Sequence, residues 1–319
     1  MLRSIATKRL LQAPTACARC LSSSAPVRET AAATATSQAD QAEKQMKRFW
    51  KTVGVESRPE GQIAVLLDKR TLKTPGGVPL TIPKERLPVA LCIADEWENQ
   101  TAVLKPHTLP MTSIAARALD GLKDANMRKD VVAYLLRYLD TDTVWCVLSS
   151  ASSIAAHLLA ADDKSLARVL IAASVLGIGS FHETFPDRLV QLQDAHWKPL
   201  IDWVEKTYGV QIQLYDSILN TRQPDATVLK LGSIVSDFDH FKLAAFERAV
   251  LASKSYLIAL GLVEGFFSVD DAAKAAHVEV QSQIDWWGEV EDTHDVDHQD
   301  VRVRLGAAAL LVAAQPQLA

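Results

Sequence analysis

The chain has 319 residues, enough for two ordinary domains, and 48% of them are hydrophobic, which supplies real cores. Its formal net charge is −4, but Arg3, Lys8, Arg9, Arg19 and Arg28 all fall in the first 28 positions, which hold no acid; without them 29 basic side chains face 38 acidic ones, a charge of about −9. Such a surface repels phosphate backbones and anionic lipid, which excludes nucleic-acid binding, and no apolar run spans a bilayer, since even residues 166–179 are interrupted by Arg168.

Segment 1–28, basic, acid-free and carrying the run Ser22-Ser23-Ser24, has the composition of a mitochondrial transit peptide, and Lys8 and Arg9 break the apolar stretch that a secretory signal needs. Cys17 and Cys20 form a C-x-x-C inside that removable part, and Cys92 with Cys146 alone builds no closed thiolate site. Residues 29–47, rich in Ala, Thr, Ser and Gln, are expected to be a disordered lead-in. From 48 to 106 the pattern predicts a small α+β domain. Val53 and Val55, then Ile63, Val65 and Leu67, then Leu80 and Ile82 alternate as short strands, with turns at Arg58-Pro59-Glu60-Gly61 and Pro75-Gly76-Gly77. A helix with Leu87, Ala90, Leu91, Ala94 and Trp97 on one side is expected to cover this antiparallel sheet, with Trp97 a structural residue closing the stripe.

Residues 107–319 predict an all-α helical bundle domain: helices over 114–122, 129–139, 189–208, 237–264, 269–287 and 292–314. Gly265 and Gly288 stand at C-cap positions, and Ser268 with Asp271 reads as a capping box. A stretch of about 149–183, rich in Ala, Ser and Leu and without clear caps, interrupts the bundle as an atypical insertion.

There is no G-x-x-x-x-G-K-[ST] phosphate loop and no G-x-S-x-G elbow, so neither nucleotide chemistry nor that kind of nucleophile is indicated and no cofactor is expected. The stretch VEVQSQIDWWGEVEDTHDVDHQD, residues 278–300, is the richest in reactive side chains. His294 and His298, four apart and among acids, have the spacing of a helical metal site, and a metal-dependent hydrolase is the alternative reading they carry. Against it, His294, His298, Val301, Leu305, Ala308 and Val312 continue one stripe, which makes the histidines the wet end of a core face and leaves no metal site. On the preceding helix the stripe Ala273, Ala276, Val280, Ile284 and Trp287 predicts an inner face, with Trp287 structural. Glu279, Gln283 and Trp286 then fall together on its margin, as solvated residues or as an anchor for a partner.

Several blocks in order carry a resemblance: LLDKRTLKTP at 66–75, Asp95-Glu96-Trp97, Tyr138-Leu139-Asp140-Thr141-Asp142, QDAHWKPL at 193–200, Ser253-Lys254-Ser255, and Glu279-Val280-Gln281 with Trp287-Gly288. Together they resemble the mitochondrial ATP synthase F(1) complex assembly factor 2 family from about Arg48 to Leu311. The resemblance implies a small α+β domain before a helical one. It also implies a matrix chaperone rather than an enzyme, monomeric when free, whose partner is the unassembled alpha subunit of the F(1) head. The family's functional glutamate falls on Glu279. The insertion after Asp142 departs from the family pattern.

Overall fold

The computed structural model describes residues 47–142, 144, 187–214 and 222–313. The transit segment 1–28, most of the lead-in, Cys17, Cys20, Cys146 and the 149–183 insertion lie outside the described residues. Lys47, placed at the end of the lead-in by its sequence, already bridges to Val103.

Four short strands form the sheet: β1 (Val53–Arg58), β2 (Gln62–Leu67), β3 (Arg70–Thr71) and β4 (Thr81–Pro83). All pairings are antiparallel, with β2 at the centre: Val55 faces Val65, Leu66 faces Thr71 and Ile63 faces Ile82. The first hairpin turns through Glu60 and Gly61, both at positive φ, as its Pro-Glu-Gly sequence requires. Helix α1 (Leu87–Glu98) lies on this sheet, but its inner face is Val89, Ala90 and Ile93, with Ala94 and Trp97 half-buried against the core. Leu87 and Leu91, expected inside, are exposed at 36% and 51%. Residues 90, 93, 94 and 97 satisfy the helical period on their own, and the 87/91 pair lies one flank away.

The helices follow in order: α2 (Pro110–Asp120), α3 (Ala125–Asp140), α4 (Asp187–His196), α5 (Lys198–Tyr208), α6 (Asp225–Ser236), α7 (His240–Ser253), α8 (Tyr256–Val263), α9 (Val269–Ala276), α10 (Val278–Trp287) and α11 (His294–Val312). The architecture is therefore α+β, a small antiparallel sheet with a covering helix followed by helices. One continuous apolar core runs from Ile63 and Val65 of the sheet to Leu305 and Leu311 of α11. At its centre is α8, all eight of whose residues are buried, so it has no polar face and must be wrapped on all sides. None of the described helices is long and apolar enough to cross a membrane.

Three helices expected to be continuous are broken, the first of them, 189–208, at Trp197 between α4 and α5. Lys254 ends α7 in the left-handed region, at φ 57°, and Ser255 then caps α8 by accepting from the Ile258 amide at 3.0 Å. The Ser-Lys-Ser block is thus a corner between two helices. His277 separates α9 from α10, its Nδ1 meeting the Ala273 carbonyl and its Nε2 the Asp297 carboxylate, each at 3.0 Å. The expected caps at Ser268, Gly265 and Gly288 are present. Helix α6 was not expected at all. Its β-branched residues and central Gly232 lower helix propensity, yet a Cβ on Gly232 would stand only 3.0 Å from Leu136, so the glycine lets α6 lie close on α3.

The acids of the sequence blocks act as clamps between elements. Asp68 accepts from the Lys51 and Thr52 amides at 2.9 and 3.0 Å, and those backbone bonds hold its carboxyl below the usual range. Glu96 reaches the N-terminus of α2, accepting from the Met111 and Thr112 amides at 2.6 and 2.9 Å and from the Thr112 hydroxyl at 2.7 Å. Burial still pushes its pKa up against these bonds. Asp120, at the other end of α2, holds the Thr74 hydroxyl and the Gly76 amide. Asp142 does for α8 what Glu96 does for α2, from a site that is 2% exposed.

Candidate functional site: an exposed face of helix α10

Helix α10 is held firmly at its base and presents its outer side to solvent. Val278 and Ser282 are buried and Val280 and Ile284 half-buried, so the inner face is narrow. Arg188 of α4 donates to the Asp285 carboxylate at 2.6 Å, and Gln281 donates to the same side chain at 2.8 Å. The Arg188 bond, the largest influence, lowers the Asp285 pKa. At the start of the helix the His277–Asp297 contact ties it to α11.

Glu279, Gln283 and Trp286 are all exposed, at helix positions i, i+4 and i+7, and so share one face. Trp286 is 67% exposed. Among the described residues Glu279 has no hydrogen-bond or ion-pair partner. Trp287 does not have the structural place expected of it: it is 73% exposed and packs in no core. The stripe that assigned it inward was continued from Ala273 and Ala276 across the break at His277. Counted from buried Val278, Trp287 lies about 180° around the helix, on the solvent side. Two neighbouring indoles therefore stand in water at the end of α10, followed by Val290 and Val296, 57% and 61% exposed. Glu289, Glu291, Asp292 and Asp295, all exposed, surround these apolar residues in sequence.

The histidines serve this end of the molecule structurally. His294 Nδ1 accepts from the Val290 amide at 3.0 Å and so shapes the loop after α10. His298 is exposed; desolvation, then Arg302 and His277, lower its pKa, and its ring centroid is 6.1 Å from that of His277. Among the described residues no group of three or more His, Cys, Asp or Glu is placed to hold a metal. The buried stripe of α11 begins only at Val301 and continues through Leu305, Ala308 and Leu311.

Trp97 joins the sheet to the helices. Its ring centroid is 4.9 Å from that of Trp50, its Nε1 donates to the Thr112 hydroxyl at 3.0 Å, and its carbonyl accepts from Trp50 Nε1 at 3.3 Å. Thr112 is thus gripped by two successive residues of α1, Glu96 and Trp97. Sequence reasoning did not find the roles of Glu96, Asp142 or His277, because each acts on an element distant in sequence or at a break that periodicity smooths over.

Known proteins match this arrangement. The model of the ATP12 chaperone protein family matches residues 47–205. The mitochondrial protein atp12 of Schizosaccharomyces pombe is 28% identical over 270 residues, 83% of this chain and 81% of that protein. The mitochondrial protein ATP12 of Saccharomyces cerevisiae is 28% identical over 297 residues, 84% of each. Among solved structures, Atp12 from Paracoccus denitrificans superposes with a TM-score of 0.61 at 27% identity, over 85% of this chain and 97% of its own. A putative chaperone from Agrobacterium tumefaciens gives 0.63 at 25% identity, over 86% and 90%. The family model and two relatives that each cover more than four fifths of this chain agree: the chain belongs to the ATP12 chaperone protein family.

Proposed function

We propose that the chain is a mitochondrial matrix chaperone, not an enzyme, that holds the unassembled alpha subunit of the ATP synthase F(1) head and promotes F(1) assembly. The observation that carries this reading is the outer face of α10. Glu279, Gln283 and Trp286 are exposed together on a helix anchored by Arg188 and His277, and the face runs on into Trp287 and Val290. Contiguous exposed aromatic and aliphatic groups among polar ones mark a protein-binding surface. A ring subunit exposes apolar interface until its neighbours arrive, and a partner that covers it suppresses aggregation. Release then needs only a competitor of greater affinity, here the beta subunit, and no nucleotide chemistry. The names of the yeast relatives and the basic, acid-free segment 1–28 support mitochondrial import.

The test uses purified alpha subunit diluted from denaturant, followed by light scattering. The protein at equimolar ratio should suppress scattering without ATP and remain bound on gel filtration. Undiminished scattering, or protection that requires ATP, contradicts the reading.

A further inference from the structure

A groove of about 200 Å³ lies between α4, α5 and the extended residues 211–214, well apart in sequence from the face of α10. Trp197, Ile201, Ile212 and Leu214 give it apolar walls, and Leu214 is 49% exposed. The Trp197 Nε1 is spent on the Ala275 carbonyl at 2.8 Å, so its ring offers the groove only an apolar surface. Gln193 also lines it. Its side chain is 2% exposed, and among the described residues neither its Nε2 nor its Oε1 has a hydrogen-bond partner. Leaving both ends of a buried amide unpaired is costly, and it recurs where a ligand completes the bonding.

The chain itself shows what such an amide fits. Beside the groove, Gln223 Oε1 accepts from the Gln213 amide at 2.9 Å while its Nε2 donates to the Gln213 carbonyl at 2.8 Å, so one side-chain amide satisfies an extended residue's N–H and C=O together. The rim is acidic. Asp202 is paired with Lys198, and Glu205 is occupied by the Ile212 amide, but exposed Asp194 has no ion-pair partner among the described residues. Anionic ligands are disfavoured there and a cation is welcome.

We propose that this groove is a second docking site, taking an extended segment of an unassembled protein. The Gln193 side chain turns into the groove and pairs with the backbone N–H and C=O of one residue of that segment, whose apolar side chain enters between Ile201, Ile212 and Leu214, and an adjacent cationic side chain meets Asp194. The occupant is defined by this chemistry and does not depend on the reading of α10.

The probe is a short capped peptide with a leucine–arginine pair at its centre, titrated into the purified full chain. Binding is read by fluorescence anisotropy and by the side-chain amide resonances of Gln193. The peptide should shift those resonances, and N-methylation at the leucine nitrogen should weaken it. Gln193→Leu should melt at the same or a higher temperature, having lost an unsatisfied buried group, while binding the peptide about tenfold more weakly or worse. Asp194→Lys, at an exposed position, should fold normally and lose the preference for arginine over glutamate in the probe. It carries the test alone if Gln193→Leu does not fold. No binding of the peptide, or binding unchanged in either variant, would overturn the proposal.

Discussion

Trp97→Arg should remove most of the folded protein. The indole packs tilted at 56° against Trp50, donates to Thr112 and closes the half-buried end of the α1 stripe, so its loss opens a cavity between the sheet and α2. The incoming guanidinium would have to sit partly desolvated, and the carboxylate within its reach is Glu96, whose oxygens already cap α2. Pairing with the arginine would draw Glu96 off those amides. The cavity and the misplaced charge together cost about 3–5 kcal/mol, a large fraction of what holds an ordinary domain together. Trp97→Phe keeps a ring against Trp50 and loses the Thr112 bond, a loss of about 1 kcal/mol. Thermal melts of the three proteins should rank wild type, Phe, Arg, with Arg lowest by several degrees or insoluble. An Arg variant that melts with the wild type would show that Trp97 is not part of the joint.

Asp142 should make stability depend on pH in an unusual direction. Its carboxylate accepts from the Val144 amide at 3.1 Å and the Leu257 amide at 3.0 Å, with Ser255 and Tyr256 also bonding to it. Burial outweighs those bonds and raises its pKa from 3.8 to about 6. Between those two values the folded protein binds a proton that the unfolded chain does not. This group's contribution is therefore full below about pH 4 and lost as the pH rises through about 6, an amplitude of about 3 kcal/mol. Asp142→Asn removes the titration while keeping one acceptor, and it sets an NH₂ group against one of the backbone donors. Denaturant unfolding of both proteins at about pH 5 and about pH 7.5 isolates the effect, because the other carboxylates cancel in the difference. The wild type should lead the variant by more at the lower pH. A constant difference between the two would mean that the buried carboxyl does not titrate in this range.

The roles of Glu96 and Asp142 show why the fold was only partly legible in the sequence. Strand alternation and the glycine turns are local signals, and from them the sheet, its covering helix and the helical character of the remaining chain can be read. Glu96 and Asp142 look like ordinary acids of helix ends, yet each caps a helix that begins elsewhere. For Asp142 the amide it holds at the start of α8, that of Leu257, lies 115 residues further along the chain. The corner at Lys254 was invisible because a lysine in the left-handed region has no sequence signature. It is held there by Ser255 and Asp142 rather than by a glycine. On α10 the spacing of Glu279, Gln283 and Trp286 sufficed to group them on one face, because four- and three-residue steps keep their meaning within a single helix. Trp287 was misplaced because its register was carried through His277, where the helix restarts. Gln193 sits in a recognisable block, but that both ends of its amide go unpaired is a fact of packing that no pattern of residue types records.

The central claim, that the exposed face of α10 captures the alpha subunit, meets its most direct test in a paired measurement on Glu279→Ala. The tagged full chain, wild type and variant, is expressed in mitochondria. The alpha subunit recovered with each is quantified, and the purified proteins are melted side by side. Glu279 has no intramolecular partner among the described residues, so its removal should leave the melting temperature within about a degree of the wild type. Losing a charge-assisted contact at the centre of an interface should cost about 2 kcal/mol of binding, enough to reduce capture about thirtyfold. His298→Ala, which alters an exposed side chain on α11, should capture as well as the wild type. The account predicts a folded Glu279→Ala protein that returns almost no alpha subunit. A folded Glu279→Ala protein that brings down as much alpha subunit as the wild type would contradict it.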